Sequence, residues 1–137
     1  MSDANKALVH RVIDELWNAR RTELIDEIYA ADFIVRNPDG DLHGPDGYRE
    51  LYTRYTEAFP DAQLHLDGEI VAEGDTVATP YVFTGTHRGD LMGIAPTGRK
   101  VSVKGTTIFH IKNGRMIEER AVWDTAALLQ QLGVIPT

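Results

Sequence analysis

Two side chains near the end of the sequence could carry acid–base chemistry, Asp124 and His110. Asp124 stands between a strand-like stretch and an amphipathic helix, and His110 lies in the strand before it. An aspartate directly before a helix is a favoured N-cap, because its carboxylate accepts hydrogen bonds from free backbone N–H groups. Such bonds lower a carboxyl pKa, whereas a base that removes a proton from carbon benefits from the raised pKa of an apolar site. Capping and catalysis are therefore competing interpretations of Asp124.

The partnership of His110 with Asp124 depends on strand register. Asn113 and Gly114 form the clearest hairpin turn signal in the chain, and a two-residue turn there places His110 opposite Ile117. Side chains alternate between the two faces of a strand, so Asp124 falls on the face opposite to that of His110. A bulge or an early strand end would bring the two together, and bulges are common beside active sites. Without one, His110 is better interpreted as a hydrogen-bonded structural residue.

A helix rich in aromatic residues could form one wall of a ligand pocket. Its pattern begins near Asp46 and ends at Pro60. The large side chains on one face are Tyr48, Leu51, Tyr52, Tyr55 and Phe59. Such a stripe is more often protein core, yet buried tyrosine hydroxyls need partners, and a planar polyphenolic or polyketide ligand would offer both stacking surface and hydrogen bonds. Both interpretations stay open for this face.

Composition and motifs exclude several other classes of function. The net charge of −7 and the scattered Lys and Arg residues are unlike the basic surface of a nucleic-acid-binding protein. There is no cysteine, the histidines do not follow a metal-binding pattern, and no glycine-rich phosphate loop occurs, so neither a metal nor a cofactor is predicted. No apolar run approaches the roughly 18 residues of a membrane span, and no signal sequence is found. We expect a cytoplasmic protein without nucleic-acid or membrane partners.

The first half of the chain predicts helices. Apolar residues recur at helical spacing from Ala4 to Ala19, and Thr22 is placed to cap a short second helix. A short strand from Phe33 to Arg36 and a loop rich in Pro, Gly and Asp then lead into the aromatic helix.

The second half predicts strands. Two runs rich in β-branched and aromatic residues flank the turn "EGD" and predict a hairpin, and a long strand follows the turn-rich stretch "DLMGIAPTGR". The last strand runs from Met116 to Trp123, and a helix over residues 125–132 ends at Gly133. Three helices, a mostly antiparallel sheet and a closing helix predict a single α+β domain over residues 1–137.

Three stretches resemble the SnoaL-like polyketide cyclase family in content and order: "AFPD", "GIAPTGRKV" and "GRMIEERAVWDTAALLQQLG". The resemblance covers nearly the whole chain. The family belongs to a larger group whose cone-shaped fold is shared with nuclear transport factor 2, ketosteroid isomerases and scytalone dehydratases. It implies a curved, mostly antiparallel sheet packed on three N-terminal helices, a short C-terminal helix, an apolar pocket inside the cone, a homodimer formed through the sheet, and cofactor-free acid–base chemistry.

The resemblance also implies roles for individual residues. In aromatic polyketide cyclases of this type the working carboxylate is the aspartate before the last helix, with a histidine in the preceding strand, and these positions are Asp124 and His110 here. The family usually has an aromatic residue or histidine after the second Glu, where this chain has Arg120 and Ala121. The residues that we predict to bind substrate are Trp17, Asn37, His43, Tyr52, Tyr55, Phe59, Arg120 and Trp123.

The leading hypothesis is a cofactor-independent cyclase-like enzyme that catalyses an intramolecular aldol reaction on a polyketide or another small, apolar carbonyl compound. Asp124 would remove an α-proton, and His110 would stabilise the enolate oxygen. One alternative is a non-catalytic module that binds a small molecule or forms a homodimer, in which Asp124 is only a cap. Another is an epoxide or ester hydrolase in which Asp124 and Arg120 activate water.

Overall fold

A layer of helices covers one face of an open, curved sheet. The computed structural model describes residues 2–137. The helices are α1 (Ser2–Arg11, continued by a π-helical segment Val12–Asn18), α2 (Leu24–Ile28), α3 (Gly44–Ala58) and α4 (Thr125–Gln131). The strands are β1 (Tyr29–Arg36), β2 (Leu42–His43), β3 (Gln63–Leu66), β4 (Val71–Glu73), β5 (Thr76–Thr86), β6 (Lys100–Lys112) and β7 (Arg115–Trp123). The predicted α+β class is confirmed.

The sheet is mixed, with antiparallel pairing dominant. Its order is β2-β1-β7-β6-β5-β3, and β4 also pairs with β5. Only the β1–β7 pair is parallel among the described strands. The parallel pair brings the N-terminal strand beside the last one, so that side chains from both ends of the chain meet on one face of the sheet.

The first helix extends from Ser2 to Asn18, close to the predicted bounds, but its second half is π-helical. Apolar side chains of both halves are buried, including Val9 and Leu16. The predicted cap at Thr22 is wrong. The N-cap of α2 is Glu23, without a side-chain hydrogen bond, because the first amides of this short helix are satisfied by backbone carbonyls of the preceding turn.

Strand bounds in the middle of the chain differ from the prediction. The strand predicted to begin at Phe33 begins at Tyr29, since pairing with β7 extends it. The first of the two predicted strands after Pro60 is divided into β3 and β4, which both pair with β5. The hairpin about the turn "EGD" is confirmed as the β4–β5 pair.

The aromatic helix and the C-terminal helix follow the sequence pattern closely. The large side chains of the predicted aromatic face are all buried. Helix α4 ends at Gln131, with Leu132 as its C-cap, and the next residue, Gly133, has a left-handed φ of 79°. The amides of Gly133 and Val134 donate to the carbonyls of Gln130 and Leu129, respectively. These two bonds form a Schellman motif, which confirms the predicted helix stop.

The β6–β7 hairpin contains a bulge that sets the inward face of β7. Asn113 and Gly114 both have positive φ, which confirms the predicted tight turn. Ile111 pairs with Met116, but His110 pairs with Glu118, because the register shifts by one residue there. The predicted pairing of His110 with Ile117 is therefore wrong. Without the shift, Glu119, Ala121 and Trp123 would lie on the same face of the sheet as His110. With it, they lie on the opposite face and point inward.

Among residues 2–137, no helix has both the length and the apolar character needed to cross a bilayer.

Candidate active site

An apolar cavity of about 100 Å³ lies between the inner face of the sheet and the N-terminal helices. Its lining side chains come from α1, α3, α4 and the inner face of β3, β5, β6 and β7: Val12, Ile13, Trp17, Tyr48, Leu51, Tyr55, Leu64, Thr79, Tyr81, Phe83, Val103, Thr107, Phe109, Glu119, Ala121, Trp123 and Leu128. Tyr81, Phe83 and Trp123 are partly exposed, whereas Phe109 and Glu119 are buried. The cavity therefore opens near Trp123 and has Glu119 at its inner end.

Glu119 is the one carboxylate that borders this cavity. Its side chain is 4% exposed, and its Oε1 accepts a hydrogen bond of 3.1 Å from the Tyr29 hydroxyl. Burial raises the pKa of Glu119 to about 8, and the hydrogen bond from Tyr29 only partly offsets that rise. Near neutral pH this carboxyl can both release and accept a proton, as a general acid or base must.

Three buried aromatic side chains lie behind the Glu119 carboxyl. The Trp17 indole N–H donates to the Tyr48 hydroxyl over 2.9 Å. Tyr48 stacks on Tyr29 with ring centroids 4.1 Å apart, and the Tyr29 hydroxyl donates to Glu119. Burial raises the pKa of both tyrosines, which keeps them protonated as donors. The hydrogen bond from Tyr29 favours the ionised form of Glu119.

The wall of the cavity is aromatic and held by local contacts. Tyr55 meets Phe83 and Trp123 edge to face, with ring centroids 6.3 and 5.5 Å apart, respectively. The Tyr55 hydroxyl donates to the Asp39 carboxylate over 2.6 Å, which ties α3 to the loop after β1. These contacts order the ring faces and edges on which an aromatic or polycyclic ligand would pack.

Asp124 lies outside the cavity. It is exposed, and its carboxylate accepts a hydrogen bond of 2.9 Å from the Ala127 backbone N–H as the N-cap of α4. It follows the last inward-facing residue of β7, Trp123, so alternation directs it to the outer side. Asp124 therefore acts as a helix cap in this structure, which is the first of the two interpretations of this residue.

His110 lies on the outer face of the sheet. Its Nε2 is 3.5 Å from the Glu118 carboxylate and its Nδ1 is 3.3 Å from the Thr76 hydroxyl. His110 pairs with Glu118, and the six residues from there to Asp124 span roughly 20 Å along a strand. The bulge places both residues on the outer side of the sheet, away from the cavity, but the distance along the strand keeps His110 and Asp124 apart.

The predicted substrate-binding residues divide into two groups. Trp17, Tyr55 and Trp123 line the cavity. The remaining five do not. They are Asn37, His43, Tyr52, Phe59 and Arg120.

Each residue of the second group has a local reason for its position. The Tyr52 hydroxyl donates to the Leu16 carbonyl, and Phe59 packs on Phe83. Arg120 points outward beside Glu118 because of the register shift, and His43 is exposed on an edge strand. Asn37 lies in the loop after β1, where its carbonyl oxygen accepts from the Asp39 amide.

Glu119 is the functional candidate that the sequence pattern did not reveal. Two adjacent glutamates in a strand send one carboxylate to each face, and that signal was available. Which of the two faces inward depends on the bulge, because an unbulged hairpin would have placed Glu118 opposite the inward-facing Phe109. Within residues 2–137, no three His, Asp or Glu side chains converge in a way that could hold a metal ion.

Comparison with known proteins identifies the family. The family model described as SnoaL-like polyketide cyclase matches residues 7–132. This chain belongs to the SnoaL-like polyketide cyclase family. The SnoaL-like fold, with its open curved sheet and helices, was correctly predicted from the sequence resemblance.

Relatives of this SnoaL-like protein include enzymes named for ring closure. An aklanonic acid methyl ester cyclase of Streptomyces peucetius is 27% identical in an alignment 132 positions long, which covers 92% of this chain and 88% of the relative. The structure of a proposed SnoaL-like polyketide cyclase from Jannaschia sp. CCS1 has a TM-score of 0.89 at 25% identity, covering 98% of this chain and 94% of that one. AclR from Streptomyces galilaeus, a proposed hydroxylase, has a TM-score of 0.85 at 31% identity, covering 97% and 83%.

Proposed function

We propose that this protein is a cofactor-independent polyketide cyclase that closes a ring by an intramolecular aldol reaction, with Glu119 as the proton-transferring group. The observation that supports this proposal is a titratable carboxyl at the inner end of an otherwise apolar cavity, with a pKa raised to about 8. Burying a carboxyl in such a place is costly, and groups of this kind concentrate at functional sites.

The reaction needs only a base and an ordered substrate. The ionised Glu119 carboxylate removes a proton from a carbon flanked by carbonyl groups. The enolate carbon then forms a carbon–carbon bond to a second carbonyl carbon of the same molecule, whose C=O π bond breaks to leave an alkoxide. Glu119 returns the proton to that oxygen, so substrate and product have the same composition. A positioned base contributes roughly 10²–10⁴ in rate, and folding of the substrate into a reactive conformer adds to it.

The cavity limits what part of a substrate can be enclosed. Its volume of about 100 Å³ is well below the roughly 300–1,000 Å³ of pockets that enclose a drug-sized ligand. We infer that the reacting end enters between Trp17 and the sheet, and that the rest of a polycyclic substrate extends past Trp123 at the opening.

The decisive experiment compares neighbouring carboxylates in the same assay. Glu119→Gln should lower kcat/KM for aklanonic acid methyl ester, or for the member of a polyketide ester panel that is turned over, by roughly 10²–10⁴. Glu118→Gln, on the outer face of the same strand, is the matched control and should stay within a few-fold of the wild type. Products are separated by chromatography and weighed by mass spectrometry, because cyclisation leaves the mass unchanged and hydroxylation adds an oxygen.

The role that the family resemblance implies for Asp124 and His110 is tested in the same series. Asparagine is also a good N-cap, so Asp124→Asn removes the charge while α4 keeps its cap. We expect this variant and His110→Phe to remain active. Loss of turnover in Asp124→Asn together with an active Glu119→Gln would transfer the catalytic role to Asp124 and refute our assignment.

A further inference from the structure

A second polar patch, formed by Thr79 and Thr107, borders the cavity beside Glu119. Thr79 on β5 and Thr107 on β6 are cross-strand partners, and both line the cavity. Thr107 also pairs with Ala121 of β7, two residues along that strand from Glu119. Thr107 and Glu119 are thus diagonal neighbours on one face of the sheet, with Cα atoms roughly 7–8 Å apart.

The Thr79 hydroxyl is buried and has no hydrogen-bond partner within residues 2–137. The residue is 2% exposed. Of the buried polar side-chain atoms without a partner in the described chain, Thr79 Oγ1 alone belongs to a residue that borders the cavity. Buried hydroxyls are almost always paired, and valine would fill the same space without an unmet hydrogen bond. A hydroxyl at this position therefore indicates a partner that arrives with the ligand.

The polar groups around Thr79 suit a hydrogen-bond acceptor. The Tyr81 hydroxyl lies beside Thr107, and burial raises the pKa of Tyr81, which keeps it protonated. Gly105 makes room for this ring, since a Cβ at position 105 would lie 2.5 Å from the Tyr81 hydroxyl oxygen. Hydroxyl groups of Thr79, Thr107 and Tyr81 can each donate a proton, whereas the one strong acceptor in the cavity is Glu119.

We propose that Thr79, together with Thr107, forms an oxygen-binding subsite that takes a carbonyl oxygen of the ligand. A ketone bound there directs the carbon next to its carbonyl group toward Glu119, the diagonal neighbour of Thr107 on the sheet. The assignment of that carbon as the reacting one rests on the proposed function, but the binding of a carbonyl group does not. Thr79 is in this sense a positioning and specificity residue, and a polyketide, which carries carbonyl groups at short intervals, is the substrate class that it fits.

The test measures binding and needs no turnover. The chain has two tryptophans, Trp17 and Trp123, and both line the cavity, so quenching of intrinsic fluorescence reports occupancy. The probes are 1-tetralone and its hydrocarbon counterpart tetralin, which differ by one carbonyl group. The variants are Thr79→Val, which removes the hydroxyl, and Thr79→Ser, which keeps it. Thr106→Val, the neighbouring position on the outer side of β6, is the matched control.

Thr79→Val should weaken 1-tetralone binding about 3- to 10-fold and change tetralin binding less than twofold. Thr79→Ser and Thr106→Val should bind both probes like the wild type. Thr79→Val should also unfold about 3 °C higher without ligand, because an unpaired buried hydroxyl is gone. Equal binding of the ketone by wild type and Thr79→Val, equal weakening of both probes, or no saturable quenching by the ketone would overturn the subsite. Turnover by Glu119→Gln would refute the proposed base and leave the outcome of these titrations unaffected.

Discussion

At the level of single residues, the adjacent glutamates of β7 have opposite environments. Glu118 lies on the outer face beside Arg36 and Arg120, and the hydrogen bond from Arg36, with the charge of Arg120, holds the pKa of Glu118 below its ordinary value. Glu119 lies inside, where burial raises its pKa to about 8. Two carboxyls with opposite shifts, one residue apart, show that burial and neighbouring charges determine which of them can exchange a proton near neutral pH.

The raised pKa of Glu119 predicts a pH dependence of stability. The unfolded chain releases this proton near the ordinary pKa of 4.5, while the folded protein holds it until about pH 8. Between these values the unfolded state binds fewer protons, so the free energy of unfolding falls as pH rises, by roughly 3–5 kcal/mol in all. The measurement is chemical or thermal unfolding of wild type and Glu119→Gln from pH 5 to 9.

Comparison of the two proteins isolates the contribution of Glu119 from that of the other titrating groups. From pH 5 to 9, the free energy of unfolding of wild type should fall relative to that of Glu119→Gln. The difference between wild type and Glu118→Gln should stay constant over the same range. Parallel stability curves for wild type and Glu119→Gln would mean that the carboxyl ionises at its ordinary pKa.

At the level of secondary structure elements, four parts of the fold hold the Glu119 carboxyl. The Trp17 indole on the π-helical segment donates to Tyr48 on α3, and the Tyr29 hydroxyl on β1 donates to Glu119 on β7. Tyr48 and Tyr29 are joined by stacking, with ring centroids 4.1 Å apart. Because each donor is fixed by the packing of a different element, the carboxyl orientation is set by the tertiary structure before a ligand enters.

Tyr29→Phe tests this arrangement through the pH profile. The variant removes the donor that favours ionised Glu119, so the pKa of Glu119 should rise further. If Glu119 acts as the base, kcat/KM of the wild type rises with pH through about 8, and the midpoint should move upward by about 1–2 pH units in the variant.

The matched control for this test is Tyr52→Phe. Tyr52 is also a buried tyrosine of α3, but its hydroxyl donates to the Leu16 carbonyl and does not contact Glu119. Tyr52→Phe should keep the wild-type midpoint. A lower maximal rate in Tyr29→Phe without movement of the midpoint would show that Tyr29 supports packing and does not hold the carboxyl.

At the level of the whole molecule, the sheet has a concave side that encloses the cavity and an outer side with exposed apolar residues. Val122 is 66% exposed and Ile108 is 37% exposed on neighbouring strands of that outer side. An apolar face of this kind is typical of a surface that is covered in an assembly. The homodimer expected from the family resemblance would be formed by this face.

Val122→Lys should therefore give a monomer, because a charge at the centre of an apolar contact is strongly unfavourable. Sedimentation velocity or light scattering measures the change in mass. The control is Met92→Lys, at an apolar residue that is 57% exposed on the loop between β5 and β6, and this variant should leave the dimer intact. A wild-type protein that is monomeric at the same concentrations would contradict the expectation.

Elements with local signals could be predicted from the amino-acid sequence. Helical spacing of apolar residues, the positive φ demanded at Asn113 and Gly114, and the stop at Gly133 act over a few residues. The long helices, the turn of the last hairpin and the final helix were therefore predicted correctly. The family resemblance extended this to the fold.

Which residues meet inside the molecule depends on contacts between distant parts of the chain. The strand period is two, so a one-residue bulge beside His110 exchanges the faces of every later side chain on β7 and places Glu119, Ala121 and Trp123 within the cone. No local pattern encodes that shift. It depends on how β6, β7 and the parallel partner β1 fit together across the sheet, and for that reason the sequence indicated the two glutamates without indicating which one is buried.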